Sequence, residues 1–207
     1  PFAGQLSSVL GKFSWSGSAW AASSTVSLDW SLQLSATSHT MAFGYRLCHG
    51  KIWMWGTSAV TGSYYYGLAQ AVTDAQGYNT PKYLTTNYSG TDSIYCQGIV
   101  EKAGTSNVYA LLSSQGTGGG GRWLGIAEIT DANAVQSTIG LRVATSNTRD
   151  QFEPSYPRLE IDSEGNFYVI VSTFDSSDTS DRSLNIIKVS AAGVKLWERS
   201  ILGTVGA

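Results

Sequence analysis

A strand-and-turn phrase that recurs four times along the chain restricts its possible folds more than any other feature. The clearest copy is 184–193, an apolar run that leads into a turn containing glycine. The strand ends that correspond to one another are Trp15, Thr73, Thr130 and Ser190, separated by 58, 57 and 60 residues. A period of this length indicates tandem supersecondary units, each of which buries its apolar faces by stacking on its neighbours.

Each complete unit reads as four short strands, which in the last unit are 158–161, 167–173, 184–189 and 194–202. β-branched and aromatic residues fill these runs, and Gly, Asn, Asp and Ser separate them, as is typical of antiparallel hairpins. We therefore predict an all-β fold of tandem four-stranded antiparallel units. The predicted organisation is a half unit of two strands over 1–35, units over 36–90 and 91–145, a linker over 146–156 and a last unit over 157–207.

The last unit resembles a known repeat family. Its turn and second strand read Asp162-Ser163-Glu164-Gly165-Asn166-Phe167-Tyr168-Val169, its third strand contains Ile186-Ile187-Lys188-Val189, and Gly193 and Trp197 follow. Over 157–203 this phrase resembles the bacterial β-propeller repeats of the NHL and seven-bladed type. The resemblance implies a β-propeller-like scaffold and no particular activity. A β-sandwich or a β-solenoid is the alternative arrangement of the same strands.

The amino-acid composition bears on nucleic-acid binding, membrane insertion and location. Only 14% of the residues are charged and the net charge is -2, with no basic block, so nucleic-acid binding has no electrostatic support. No apolar run approaches the roughly 20 residues of a membrane helix, so we predict no membrane insertion. A surface made polar by hydroxyl and amide groups is common among extracellular and virion proteins, and we predict a virion or extracellular location.

The repeat phase predicts protein partners. The chain opens at Pro1 without a methionine, and its first half unit has the third and fourth strands but not the first and second. We expect partner strands from a parent chain or from neighbouring copies, in an assembly or a homo-oligomer. The expected contact surfaces are the exposed edges near 14–34 and 195–202.

The two cysteines are predicted to be free thiols. In the repeat register Cys48 aligns near Lys102, so Cys96 lies about six positions earlier on its own unit. At roughly 3.3 Å per strand residue, about 20 Å along the strand separates them, whereas a disulfide needs Cα atoms within about 7 Å.

Aromatic residues near the turns suggest a weak glycan site. Indole and phenol rings can stack on sugar rings, and packing between sheets is the alternative for the same side chains. The candidates for ligand binding are Trp53, Trp55, Tyr64, Tyr65, Tyr66 and Trp123.

A weak calcium site is suggested by three carboxylates at a spacing of three, Asp175, Asp178 and Asp181. Oxygen ligands suit Ca²⁺, although the spacing is not that of an EF-hand, and a solvated loop is the alternative. We predict no cofactor. The glycine run 118–121 precedes a strand instead of a helix, which disfavours a phosphate-binding loop.

Catalytic motifs are missing from the sequence. The only histidines, His39 and His49, lie in no nucleophile-elbow context. Glu160, Asp162 and Glu164 alternate along one strand and turn, and such carboxylates can hydrolyse glycosides only at a defined separation. We predict no catalytic residues and no enzymatic activity.

Three functional hypotheses follow. The first is a non-catalytic structural or assembly module of a larger particle, most consistent with a tail, fibre or decoration component of a bacteriophage virion. The second is a glycan-binding or adhesion module of an extracellular protein. The third is a secreted carbohydrate-active enzyme that uses the acidic residues around Asp162.

Overall fold

The computed structural model contains strands and turns. It describes residues 9–16, 25–33, 39–59, 65–72, 83–84, 94–114, 122–130, 135–144, 151–152, 158–174 and 182–202. Within these ranges all regular structure is β, so the all-β prediction is confirmed. None of the described elements is a helix of the length and apolarity needed to cross a membrane.

The strands form four antiparallel sheets, which we number I to IV in chain order. Sheet I contains β1 (Val9–Ser16) and β2 (Thr25–Gln33). Sheet II contains β3 (His39–Cys48), β4 (Lys51–Ala59), β5 (Tyr65–Val72) and β6 (Tyr83–Leu84).

Sheet III is a complete four-stranded meander, and sheet IV adds one short strand to the same plan. Sheet III contains β7 (Ile94–Glu101), β8 (Val108–Ser114), β9 (Arg122–Ile129) and β10 (Val135–Ala144). Sheet IV contains β11 (Gln151–Phe152), β12 (Arg158–Ile161), β13 (Phe167–Phe174), β14 (Arg182–Val189) and β15 (Lys195–Leu202).

The strand order bears out the prediction of four-stranded antiparallel units. Sheets II and III run β3-β4-β5-β6 and β7-β8-β9-β10. In sheet IV, β11 and β12 both pair with β13, β11 beside its end at Thr173 and Phe174 and β12 beside its start. β11 lies inside the segment 146–156 that the sequence suggested as a linker; the boundaries of the repeat units stay a prediction.

The turns between first and second strands explain why the hairpins close where they do. In sheet II the turn is His49-Gly50, with φ of 50° and 73°. Positive φ at both central residues is the geometry of a type I′ turn, whose twist matches that of the flanking strands. In sheet IV, Gly165 has a φ of 83° and closes the longer turn that starts at Asp162.

Sheets II, III and IV stack face to face through two apolar clusters. The cluster between sheets II and III includes Trp53, Ile99 and Val108. The cluster between sheets III and IV includes Leu111 and Phe167, together with side chains of β9 and β14. Because strand side chains alternate between two faces, the middle sheet III is apolar and buried on both.

A β-bulge keeps β7 in phase with this stacking. The register of β7 against β8 shifts between Cys96 and Gly98. Ile94 and Cys96 lie before the bulge and Ile99 lies after it, yet all three belong to the cluster that faces sheet II. The extra residue of the bulge moves the cluster-facing side chains from even-numbered to odd-numbered positions, and a regular strand cannot make this change.

For each sheet we call the side toward the next sheet along the chain the forward face, and the opposite side the back face. The forward face of sheet III contains Tyr109 and Leu111, which contact sheet IV. Its back face contains Val108 and Ala110, which contact sheet II. Among sheets II to IV, the two faces that no other of these three sheets covers are the back face of sheet II and the forward face of sheet IV.

The first strands of sheets III and IV each lie close to the preceding sheet. Cα atoms of β7 come within 8 Å of β3, β4 and β5, and those of β12 come equally close to β7 and β8. Arg46 of β3 contacts Glu160 of β12 at 3.3 Å, so these side chains reach across the first strand of sheet III. The described residues form no closed ring of sheets.

A substitution at Gly125 tests how closely the core of sheet III is packed. A Cβ at this position would overlap the ring of Trp123 and lie 2.8 Å from the carbonyl oxygen of Ile139. We expect Gly125→Ala to lower the free energy of unfolding by about 1–3 kcal/mol, as overpacking does. Gly98→Ala is the matched control, because a Cβ there meets nothing within 4 Å.

Urea unfolding midpoints of the two variants and the parent measure this difference. Equal stability of Gly125→Ala and Gly98→Ala would contradict the packing described for Trp123.

Candidate functional site

The structure places three predicted glycan residues inside the sheet stack. Trp53 is 0% and Trp123 is 5% exposed, and both belong to the cluster between sheets II and III. Trp55 packs against the same cluster. A sugar platform needs an exposed ring face, so these indoles act here as packing groups; glycan binding by the chain stays a prediction.

Glycines make room for two of these indoles. A Cβ on Gly44 would lie 2.6 Å from the ring of Trp55, and one on Gly125 would overlap Trp123. Both pairs put a large flat side chain directly over bare backbone. Each arrangement is a close contact of the kind found in densely packed interiors.

The remaining predicted site residues are not described in side-chain detail. Tyr65 and Tyr66 lie in β5, but their side chains are outside the described residues, as are Tyr64 and the predicted calcium ligands Asp175, Asp178 and Asp181. In the described part of the chain no group of three His, Cys, Asp or Glu side chains converges on one point.

The acidic residue Asp162 is engaged in closing its own turn. Its carboxylate accepts hydrogen bonds from the backbone N–H groups of Glu164 (3.0 Å) and Asn166 (2.8 Å) and from Asn166 Nδ2 (3.0 Å). Lys188 Nζ lies 3.5 Å away. The hydrogen bonds from Asn166, with help from Glu164 and Lys188, lower the pKa of Asp162 to about 2.

Sheet III closes the equivalent turn with the charges exchanged. Lys102 Nζ contacts Glu128 Oε1 at 2.7 Å, and Asn107 Nδ2 donates to the same oxygen. Lys102 and Glu128 occupy the positions that Asp162 and Lys188 occupy in sheet IV. The hydrogen bond to Glu128 raises the pKa of Lys102, and the one from Lys102 lowers that of Glu128.

Among the described residues, the forward face of sheet IV combines exposed aliphatic, aromatic and cationic side chains. It repeats the chemistry of the forward face of sheet III position by position, with Tyr168 for Tyr109, Leu184 for Leu124 and Ile186 for Ile126. Leu124 and Ile126 are fully buried under sheet IV, whereas Leu184 is 42% exposed. On β15, Trp197 and Ile201 lie opposite Lys188 and Leu184 and extend the same face.

Aromatic and cationic groups join at one end of this face. Tyr168 and Trp197 form an edge-to-face pair with ring centroids 6.1 Å apart. Lys188 Nζ lies 4.9 Å from the Tyr168 ring centre, and the guanidinium of Arg199 lies 5.7 Å from that of Trp197. Such combinations of Tyr, Trp and Arg are enriched where proteins bind one another.

The back face of sheet II is exposed along its first strand and covered beside it, because Met54, opposite Tyr45, is 4% exposed. Tyr45 and Leu47 lie on this side of β3 and are 70% and 65% exposed. Ile99 and Leu159, at the position of Tyr45 in sheets III and IV, are 2% and 4% exposed. The exposed part of this face is therefore limited to β3.

Sequence reasoning did not identify these two faces. It pointed to strand edges near 14–34 and 195–202 and to the aromatic residues of sheets II and III. The sequence does contain the apolar pattern of these strands, because the repeat aligns Leu184 and Ile186 with Leu124 and Ile126. Which of these equivalent positions lacks a cover follows only from the stacking.

Comparison with known protein families and with curated proteins finds no match to this chain.

The depressed pKa of Asp162 predicts acid sensitivity of the last turn. A carboxyl group whose pKa falls from 3.8 to about 2 on folding stabilises the fold above pH 4, and this contribution is lost as pH drops toward 2. Thermal melts between pH 7 and pH 2 should show Asp162→Asn below the parent at neutral pH, with the gap closing at low pH.

Glu164→Gln is the control, since it changes a charge in the same turn and retains Asp162. A constant gap between Asp162→Asn and the parent across this pH range would contradict the assigned hydrogen bonds.

The prediction of free thiols is confirmed, because Cys48 and Cys96 are unpaired and buried. Burial, with the charge of Glu101, raises the pKa of Cys48 to about 11, and burial raises that of Cys96 to about 12. The thiolate is the reactive form, so both should react slowly with a disulfide reagent at pH 8 and rapidly in denaturant. Prompt labelling of either thiol in the folded chain would contradict this burial.

Proposed function

We propose that the chain is a non-catalytic assembly module with a β-propeller-like scaffold, which binds another protein subunit through the forward face of sheet IV. The observation that carries this proposal is the pair Leu124 and Leu184. They hold equivalent positions on equivalent faces, one fully buried and the other 42% exposed. The uncovered face has the composition of a face that a neighbouring sheet covers elsewhere in the same chain.

The stacking of sheets II to IV supports a propeller-like scaffold. Propeller blades are four-stranded antiparallel sheets that pack face to face around an axis lined by their first strands. Here the first strands β7 and β12 each lie within 8 Å of strands of the preceding sheet. The contact of Arg46 with Glu160, two sheets apart, fits first strands that curve around a common centre.

A protein partner fits the open face better than a small ligand. The face is broad and built from a whole sheet, and its exposed aliphatic side chains, Leu184 and Ile201, are 42% and 55% accessible. Burying a side chain of this size contributes about 1.5–3 kcal/mol when it is complete. A flat apolar surface gains this energy only against another extended surface.

The ammonium group of Lys188 on this face is compatible with burial. Lys188 is already paired with Asp162 and lies over the ring of Tyr168. Covering the face would therefore not leave this ammonium group without a partner. The equivalent pair on sheet III, Lys102 and Glu128, lies beside the interface with sheet IV and shows that such a pair is accommodated there.

The setting of this assembly stays a prediction from composition. A charged fraction of 14% and a surface rich in hydroxyl and amide groups favour a virion or extracellular particle. Within that setting, the role we propose is structural: the module joins subunits and presents its loops.

Hydroxyl-radical footprinting tests the proposal without knowledge of the partner. The isolated chain and the same chain in material from its natural source are oxidised in parallel, and labelling of Trp197 and Ile201 is read by mass spectrometry. We expect protection of both residues in the natural material, because a partner would exclude water from this face.

Val194 is the internal reference, since it is 60% exposed and precedes β15. Labelling of Trp197 and Ile201 that is equal in the two samples would overturn the proposal.

A further inference from the structure

We propose that the protein subunit covering the forward face of sheet IV presents an aspartate or a glutamate opposite Arg199, within an otherwise apolar surface. This inference rests on the proposed function and adds the chemistry of the partner. Its basis is a positive charge at a position where the covered face of sheet III has an apolar side chain.

Arg199 occupies the position that an isoleucine holds in sheet III. In β10, Ile139 lies opposite Ile126 and packs against the apolar cluster between sheets III and IV. A Cβ on Gly193 of sheet IV would lie 3.2 Å from the Ile139 side chain. In β15, Arg199 lies opposite Ile186, the equivalent of Ile126. A neighbouring sheet therefore contacts this position within the chain, and on sheet IV the position carries a guanidinium.

Two other charged side chains of this face already have partners of opposite charge. Lys188 lies 3.5 Å from the carboxylate of Asp162. Glu160, on the first strand, contacts Arg46 at 3.3 Å. In the part of the chain that the structure describes, no carboxylate forms an ion pair with Arg199, which is exposed. This arginine is therefore the cation to which a partner can supply the opposite charge.

The side chains around Arg199 are apolar. Trp197 and Ile201 flank it on the same face of β15, and Ile186 lies opposite. Its guanidinium lies 5.7 Å from the centre of the Trp197 ring. A guanidinium that lies over an aromatic ring still offers N–H donors in its own plane, where the two oxygens of a carboxylate can accept them. The indole thus supports Arg199 and leaves its polar edge to the partner.

Burial makes this charge a condition on the partner. A surface that covers Trp197 and Ile201 must also cover Arg199, which lies between them. Removing an unpaired charge from water is strongly unfavourable, whereas a carboxylate supplies both the opposite charge and hydrogen-bond acceptors. Complementary charges of this kind also select the correct partner. The partner surface therefore combines apolar side chains with a carboxylate.

A protein suits this face better than a nucleic acid does. Nucleic acids are bound through several cations that contact successive phosphates. Here the aliphatic side chains of Leu184, Ile186 and Ile201 share the face with Arg199, and the chain has a net charge of -2. A carboxylate surrounded by apolar groups is a feature of protein surfaces.

Competition between chains that differ at position 199 tests the inference. Natural-source material is dissociated and reassembled with equal amounts of unlabelled parent and one isotope-labelled variant, and mass spectrometry gives their ratio in the complex. We expect incorporation of Arg199→Lys within about threefold of the parent, because the charge is kept. Arg199→Glu should be incorporated at least about tenfold less, because two carboxylates would then face each other.

Lys195→Glu is the matched control, because it makes the same change of charge on the same strand. Lys195 lies opposite Val189, whose side chain faces sheet III, and it is more than half exposed. This variant should be incorporated like the parent.

Arg199→Ile distinguishes an acidic partner from an apolar one. It introduces the residue type that sheet III has at this position. An apolar partner would favour this variant over the parent, whereas an acidic partner would disfavour it because its carboxylate would lose the guanidinium. We expect lower incorporation than that of the parent.

Cross-linking identifies the acidic residue directly. A carbodiimide joins an amine to a carboxylate that contacts it. The Arg199→Lys variant should therefore be linked to an Asp or Glu of another subunit, either a different protein or a second copy of this chain. Val194→Lys places an amine at a position that is 60% exposed and precedes β15, and it should not form this link.

Any of four results would overturn the inference. They are incorporation of Arg199→Ile equal to or above that of the parent, incorporation of Arg199→Glu equal to that of Lys195→Glu, an Arg199→Lys variant that links to no carboxylate, and loss of Trp197 protection after nuclease treatment. Thermal melts of the variants exclude unfolding as the cause of any loss.

The two proposals can fail separately. If Trp197 is protected in the natural material and Arg199→Ile is incorporated as well as the parent, the proposed function stands with an apolar partner and this inference fails. Unprotected Trp197 would remove both.

Discussion

Burial of sheet faces against one another is the constraint on which the rest of this structure depends. A β-sheet offers two faces, and sheet III is apolar on both because sheets II and IV lie on either side of it. The bulge in β7 and the glycines beneath Trp55 and Trp123 serve this contact, since they set the phase of side chains and the spacing of backbones. An uncovered face is therefore the unusual feature of the molecule.

The turns between first and second strands are held by contacts within their own sheet. Each must close a first hairpin beside the next sheet, and sheets III and IV use an ion pair and an asparagine for this purpose. Lys102 with Glu128 and Asp162 with Lys188 differ in the direction of the charges. An ion pair forms equally well whichever of its two positions carries the positive charge. The two charges can therefore exchange places between sheets III and IV without altering the fold.

The tryptophans show why residue type alone misleads about sites. A Trp in a strand near a turn is equally suited to a ligand platform and to a sheet interface, because both use the flat indole face. Trp53 and Trp123 pack between sheets, while Trp197 lies on an open face beside Arg199. The difference depends on what lies opposite each ring, and no local pattern encodes that.

The all-β class, the four-stranded antiparallel plan and the free thiols could be predicted from the sequence, because alternation, turn residues and repeat register can be read along the chain. Which of the equivalent surfaces are covered could not be predicted, because it depends on how the sheets stack. Leu124 and Leu184 hold the same place in their strands, and an isoleucine follows each two residues later, yet one leucine is fully buried and the other 42% exposed. A sheet face is buried only when a second sheet packs against it, and the sequence of one strand does not specify whether that second sheet is present.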